Sequence, residues 1–223
     1  MIRKVEHRIA LVTCEAYPGL NPDDQLLRRA FQLAGHEVDA VDWARPNVDW
    51  KSFDAVIMRS TWDYYLRLPE FMAWLDKLHN DSVQVFNPLP MIRENIDKRY
   101  LQTLALKGVE IVPTVFASKD DRMSLDKYLT KMKWDEVVVK PTISAGSFQT
   151  WRSNAATAIQ HSKQFEDLLL RSEVMIQPFL RAIEVEGEYS LMYFGKEYSH
   201  TVLKQAKSGD FRVQDKFGGT IEA

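Results

Sequence analysis

The sequence predicts an α/β protein: a parallel-sheet first domain followed by an α+β unit. Three observations carry that expectation. Short apolar runs alternate with amphipathic helical stretches as far as Phe86, the pattern of a helix-covered parallel sheet. The chain then passes through Asn87-Pro88-Leu89-Pro90, a turn-rich boundary. Beyond it, strand-like segments lie close together and end in a hairpin around Gly195-Lys196. Domains are therefore expected at 1–88 and 89–223.

Taken in order, Arg8–Thr13 (RIALVT) reads as a buried strand. Asn21-Pro22-Asp23-Asp24 supplies an N-cap, a first-turn proline and two acids suited to the helix dipole. Leu26, Leu27, Ala30, Phe31 and Ala34 form an apolar stripe, closed by Gly35. Glu37–Trp43, Asp54–Met58 and Val83–Phe86 are further strands, with a helix over Pro69–His79. In the second half, one helix runs through Ile96, Tyr100, Leu101, Leu104 and Ala105 to Gly108, with Lys98 on its polar side. Strands follow at Glu110–Phe116, Glu136–Lys140, Phe148–Arg152 and Val174–Leu180. Helices are expected near Leu125–Lys133 and over Ala155–Arg171, and the hairpin pairs Glu186–Phe194 with Glu197–Lys204.

The 223 residues are 45% apolar and carry a formal net charge of -2. That composition supports a sizeable core and gives no electrostatic reason for a nucleic-acid or membrane partner. Cys14 is the one cysteine, so there is no disulfide framework or CxxC site, which suits a reducing, cytoplasmic setting. No apolar run approaches the length of a membrane span.

Ligands of open parallel sheets gather beyond the carboxyl ends of the strands. One such end carries Arg59-Ser60-Thr61-Trp62-Asp63-Tyr64. Arg59, with Trp62, Asp63 and Tyr64, is a candidate substrate site, its guanidinium clamping a carboxylate or phosphate through two parallel hydrogen bonds. The competing reading is that Arg59 pairs with Asp63 or another acid and ties the loop down. No GxGxxG, GxxxxGK[ST], HExxH or EF-hand pattern is present, and the five histidines show no ligand spacing. In the second half, Lys140 ends a strand and faces the small-residue loop Ser144-Ala145-Gly146-Ser147, a concavity suited to anionic oxygens. Gln177-Pro178-Phe179-Leu180 is placed to offer a carbonyl and an N–H to an adenine edge, and Glu188 to accept from ribose. Each feature alone is more simply a solvated or core residue.

In order, Asn87-Pro88, Asp97-Lys98, Val139-Lys140-Pro141, Ser144–Ser147, Gln177–Leu180, Gly187-Glu188-Tyr189-Ser190-Leu191, Val202-Leu203-Lys204 and Gly209-Asp210-Phe211-Arg212 resemble the motifs of ATP-grasp ligases. The likeness is to the branch of bacterial glutathione synthetase and the ribosomal-protein glutamate ligases. Arg59–Tyr64 and Gly209–Gln214 look most like its cycloserine-ligase-like subgroup. The resemblance spans nearly the whole chain and implies a pre-ATP-grasp domain followed by an ATP-grasp domain with a lid at about 112–180. It implies that Lys98 and Lys140 hold ATP phosphates, that Ser144, Ala145, Gly146 and Ser147 cover them, and that Gln177, Pro178, Phe179 and Leu180 take adenine. Glu188 would bind ribose, and Lys204 and Arg212 would act at the transferred phosphoryl group. The implied partners are ATP and a small carboxylate or amino-acid-like substrate. Magnesium is expected for the complete enzyme, but its family ligands lie in a later strand pair, and none is assigned in this chain. Gly218-Gly219 reads as a turn toward a further element, so the chain is expected to be the front of a longer protein. Two alternatives stay open: a non-catalytic ATP-binding or regulatory module, and a parallel-sheet domain binding a small anion.

Overall fold

A computed structural model describes residues 6–222, the side chain of Asp215 excepted. Two compact units divide between Tyr100 and Leu101.

The first unit is built on four parallel strands: β1 (Arg8–Thr13), β2 (Glu37–Asp42), β3 (Ala55–Met58) and β4 (Val85–Phe86), in the order β2-β1-β3-β4. β1 is central, and Ile9 to Thr13 are buried without interruption. That is the pattern of a strand covered on both faces, where an alternating sequence would expose one of them. Helix α1 (Pro22–Leu33) begins as the sequence predicts, with Asn21 Oδ1 accepting from the Asp24 N–H at 3.0 Å. Its apolar stripe is narrower than expected. Leu27 and Phe31, one turn apart, pack on Ile9, Leu11, Leu20 and Val38, while Ala30, Ala34 and Leu26 (70%) are exposed. A single i, i+4 row is all that this helix presents to the sheet. Helix α2 (Leu68–Asn80) buries Phe71, Trp74, Leu75 and Leu78, a full helical face. Trp43 and Trp50 join Phe71 and Trp74 in a ring cluster, with centroids 5.1 Å apart for Trp43–Phe71 and 5.2 Å for Trp50–Trp74.

The single helix expected from Ile96 to Gly108 is two. Helix α3 (Leu89–Ile96) starts just past Asn87-Pro88, and α4 (Tyr100–Leu106) follows a break. Asp97 is extended there (φ -103, ψ 122), and its carboxylate accepts from the Arg99 N–H at 3.0 Å. This local acceptor competes with the helical ladder. Lys98 consequently lies in the turn between the helices, not on a helix as the sequence suggested.

In the second unit, β5 (Val115–Ala117), β6 (Glu136–Pro141), β7 (Trp151–Asn154) and β8 (Val174–Pro178) form an antiparallel sheet in the order β5-β8-β6-β7. Helices α5 (Leu125–Met132) and α6 (Ser162–Leu169) accompany it. Val137 and Val139 of β6 and Val174 and Ile176 of β8 meet Leu125, Tyr128, Leu129, Phe165 and Leu168 in one buried cluster. Several elements are shorter than the sequence implied, β8 among them, ending at Pro178 and not Leu180. β5 is confined to Val115–Ala117, since Pro113 has no N–H for a ladder. β7 starts at Trp151 because Ser147 (φ 57) and Gln149 (φ 47) turn the chain before it. α6 starts at Ser162 because Asn154 Oδ1 accepts from the Ala156 and Thr157 N–H groups, closing turns over the preceding residues.

A third sheet, β11-β10-β9, comprises β9 (Glu188–Phe194), β10 (Glu197–Gln205) and the short β11 (Thr220–Glu222), with a four-residue helix α7 (Ala182–Val185) before it. Glu188 lies opposite Lys204 across the hairpin. No helix among the described residues is long and apolar enough to cross a membrane.

The entry to β9 is a tight backbone approach. Gly187 has φ +95, and a Cβ there would lie 2.6 Å from the Lys204 carbonyl oxygen; Gly195, at the hairpin tip, has φ +63 and open space around it. Gly187→Ala should therefore destabilise by about 3 kcal/mol, from strain plus overlap, and Gly195→Ala by only about 1 kcal/mol. Urea melts of the two variants check this; equal losses would show that backbone conformation alone sets the cost.

Candidate functional site

In the first unit β2 and β3 lie on opposite sides of β1, so the crevice beyond the carboxyl ends of β1 and β3 is the topological switch point. The Arg59 and Ser60 N–H groups both donate to the Val12 carbonyl, at 3.1 and 3.0 Å, fixing the end of β3 against β1. The Arg59 side chain pairs with an acid, but with Asp24 at 2.6 Å through Nε, not with Asp63. Asp63 accepts instead from Trp43 Nε1 at 2.7 Å. Trp62 is half-exposed and meets Tyr17 edge to face at 5.1 Å. Tyr64 packs on Phe71, with centroids 5.5 Å apart. Burial, then the neighbouring Tyr65, Asp97 and Tyr100, pushes its phenol above the usual value. Asp97 and Tyr100 flank the turn carrying Lys98, so that turn lies beside the Arg59–Tyr64 segment.

In the second unit the alternation of β6 turns Val137 and Val139 into the core and Val138 and Lys140 to the other face. Lys140 is mostly buried. Desolvation pulls its ammonium below the ordinary 10.5, and Glu188 partly opposes this. Glu188 also pairs with Lys204 at 3.4 Å. The structure thus gathers three of the predicted residues, with one carboxylate between two lysines.

The Ser144–Ser147 loop is tied at both ends. Ser144 is buried, its hydroxyl donating to the Pro141 carbonyl at 3.3 Å, and the Ser147 hydroxyl donates to Gln214 Oε1 at 2.8 Å. Lys216 Nζ lies 3.0 Å from where Gly146 would carry a Cβ. Arg212 is held by Asp210 (Nη2–Oδ2 2.7 Å) and stacks on Phe217 at 3.7 Å. That arginine holds the Asp210 carboxyl down to about 2.

On β8, the Phe179 N–H donates to the Glu136 carbonyl at 2.9 Å, so of the two expected adenine donors only the Leu180 N–H has no partner among the described residues. This bond makes Val137–Pro178 a non-hydrogen-bonded pair and turns the Pro178 carbonyl away from β6. On the other side, β5 pairs only with Val174 to Ile176 and stops short of Pro178. An acceptor and a donor with no partner among the described residues therefore stand two residues apart. Lys140 is opposite Met175, three residues along β8 from Pro178, or about 10 Å at the rise of a strand. Gln177 is buried, with Nε2 donating to Thr114 Oγ1 at 2.8 Å, and Phe179 lies under the Arg152 guanidinium at 3.7 Å.

Asp24, Gln214, Lys216 and Arg152 were not among the sequence candidates. Asp24 reads as a helix-dipole acid, and the rest carry no local signal of the partner they reach.

Residues 9–87 match the family described as D-cycloserine synthetase DcsG, N-terminal domain. The cycloserine biosynthesis protein DcsG of Streptomyces lavendulae is 33% identical over 202 residues, covering 89% of this chain and 67% of that protein. The crystal structure of D-cycloserine synthetase DcsG superposes with a TM-score of 0.79 at 30% identity, over 89% of this chain and 68% of that one. A RimK domain ATP-grasp protein from Sphaerobacter thermophilus shares the fold, with a TM-score of 0.64 at 19% identity over 91% of this chain and 76% of that one. With 33% identity over an alignment that spans two thirds of that Streptomyces relative, the chain belongs to the DcsG family of ATP-grasp proteins.

Proposed function

We propose that the chain is the ATP-binding part of an ATP-dependent carboxylate–amine ligase acting through an acyl phosphate. The observation that carries this is the cationic group on the second unit. Lys140 is drawn out of water with Lys204 nearby and one carboxylate, Glu188, between them, three residues along the sheet from the Pro178 carbonyl, which faces away from β6. An arrangement that keeps a lysine charge desolvated suits an anionic ligand, since low local dielectric strengthens its attraction.

In this reading Pro178 and Leu180 take the adenine edge, Glu188 the ribose, and Lys140 and the Ser144–Ser147 loop the phosphates. The resemblance alone assigns Lys98 to those phosphates. A substrate carboxylate oxygen attacks the γ-phosphorus, the bond to the bridging oxygen breaks and ADP leaves. An amine then attacks the acyl carbon of the acyl phosphate, and inorganic phosphate departs. Phosphoryl transfer needs position and charge neutralisation more than a protein nucleophile. Lys204 and Arg212, the latter oriented by Asp210, supply cationic groups for that step. Magnesium is expected in the complete enzyme, but among the described residues no group of three or more His, Cys, Asp or Glu side chains comes together to hold a metal. The lysines and the arginine supply part of the charge neutralisation that step needs. Arg59 receives the substrate carboxylate.

Lys140→Ala and Lys98→Ala should each weaken ATP binding about ten- to a hundredfold, the loss of one charge-assisted hydrogen bond, with adenosine affinity nearly unchanged. Calorimetry reads both, and unchanged ATP affinity in the folded variants removes the phosphate assignment. Amide exchange over Ser144–Ser147 should slow when ATP binds; equal rates with and without saturating nucleotide count against a phosphate-covering loop. Lys140→Met should lose ATP affinity yet melt higher than wild type at pH 7. The folded pKa of Lys140 is below 10.5, so between those two values the unfolded chain binds more protons and wild-type stability rises with pH. The advantage of Lys140→Met should accordingly be full at neutral pH and shrink as pH climbs toward 10.5. A constant difference in melting temperature across that range would show that Lys140 is not penalised by burial.

A further inference from the structure

Asp24 is a carboxylate almost entirely out of water, 1% exposed, at the start of α1. Three donors reach it: Arg59 Nε at 2.6 Å, Asn21 Nδ2 at 2.7 Å and the Ser60 hydroxyl. Asn21 Nδ2 also reaches Ser60 Oγ at 2.5 Å. Asn21 and Ser60 are buried as well. Burying a charge is unfavourable unless it is paired and fully hydrogen-bonded, and here the pairing uses only one of the five N–H donors on the guanidinium. Nη1 and Nη2 have no partner among the described residues, and the Arg59 side chain is 40% exposed.

We propose that Asp24 is a positioning residue: it fixes Arg59 through Nε so that the Nη1–Nη2 edge is presented, ready aimed, to a ligand carboxylate in the β1/β3 crevice. This rests on the reading of Arg59 as the substrate-carboxylate residue. The geometry argues for it in three ways. The backbone on which Arg59 stands is fixed to Val12, and its side chain is fixed one atom short of its working edge. Both restraints remove conformational freedom before binding, which lowers the entropic cost of holding a ligand. The free edge offers two parallel N–H bonds, the match to a planar carboxylate. Finally, Tyr17 and Trp62, exposed 38% and 48% and in mutual edge-to-face contact, lie on the loops that follow β1 and β3. They give the crevice an apolar rim that suits a small organic acid better than free phosphate.

The test is a double-mutant cycle on the whole chain: wild type, Asp24→Asn, Arg59→Ala and the double variant. The probes are glycine, both hands of alanine and serine, and inorganic phosphate, read by ligand-observed NMR, with ATP affinity by calorimetry as the control. Wild type is expected to bind at least one amino acid more tightly than phosphate. Asp24→Asn, which keeps the side-chain volume, should weaken that amino acid roughly tenfold with ATP affinity unchanged, since the aim and not the fork is lost. In the Arg59→Ala background Asp24→Asn should add nothing, because a residue acting through another has no effect once that other is gone. If Asp24→Asn costs the same factor in both backgrounds, or nothing in wild type, Asp24 merely ties α1 to β3 and the proposal fails, while Arg59 keeps its role. If Arg59→Ala changes no amino-acid affinity, or wild type binds none of the amino acids, the substrate reading of Arg59 itself fails. Tighter phosphate binding overturns the carboxylate assignment. Should Asp24→Asn not fold, Ser60→Ala, which removes one donor to Asp24, should produce a smaller loss with the same dependence on Arg59; a loss independent of Arg59 overturns the proposal.

Discussion

The alternation of β6 places a charge where water is scarce, and the second unit is arranged around that constraint. Successive side chains of a strand face opposite ways, so the valines that fill the core at Val137 and Val139 force Lys140 to the other face. There it is desolvated, with Glu188 as its opposing charge. Glu188 starts β9, opposite Lys204 on β10, so the hairpin delivers both the counter-charge and a second cation. Gly187 permits this close entry because its backbone is positive in φ and no Cβ intervenes.

The first unit handles charge differently. Its central strand is buried from Ile9 to Thr13, and the polar groups beside the crevice lie just past the end of β3. One small network joins Asn21, Asp24, Ser60 and Arg59 across α1 and β3. Asn21 serves twice, capping α1 with Oδ1 and bonding Asp24 and Ser60 with Nδ2. Such a network is favourable only when every member is satisfied. Only the outer edge of Arg59 is left without a protein partner among the described residues, at the switch point where parallel sheets take their ligands.

The second unit holds two of its guanidinium groups between carboxylates and a ring. Arg212 and Arg152 each have acidic partners and an aromatic ring beneath them: Asp210 and Phe217 for one, Glu136, Glu184 and Phe179 for the other. Stacking plus a carboxylate fixes the plane of a guanidinium more firmly than either alone. Phe179, pinned by Arg152 and by its own N–H bond to Glu136, sets the direction in which the Pro178 carbonyl and Leu180 N–H face.

By itself the sequence determined what local chemistry determines. The strands β1 and β6, the α1 cap at Asn21, the hairpin turn at Gly195 and the change of architecture along the chain are written in periodicity and turn residues. The order of weak motifs was enough to indicate the ATP-grasp family. The tertiary structure alone decided whom each charge meets. Asp24 is thirty-five residues from Arg59 in the chain, and nothing at either position distinguishes that pairing from one with the nearer Asp63. The Phe179 N–H reads as free until Glu136 is laid beside it. Lys98 reads as helical until Asp97 accepts from the backbone and breaks the helix. Propensity and periodicity report on neighbours a few residues away, whereas the partner of a buried ion is fixed by packing between distant segments, where a desolvated charge must find whichever donor the fold brings within reach.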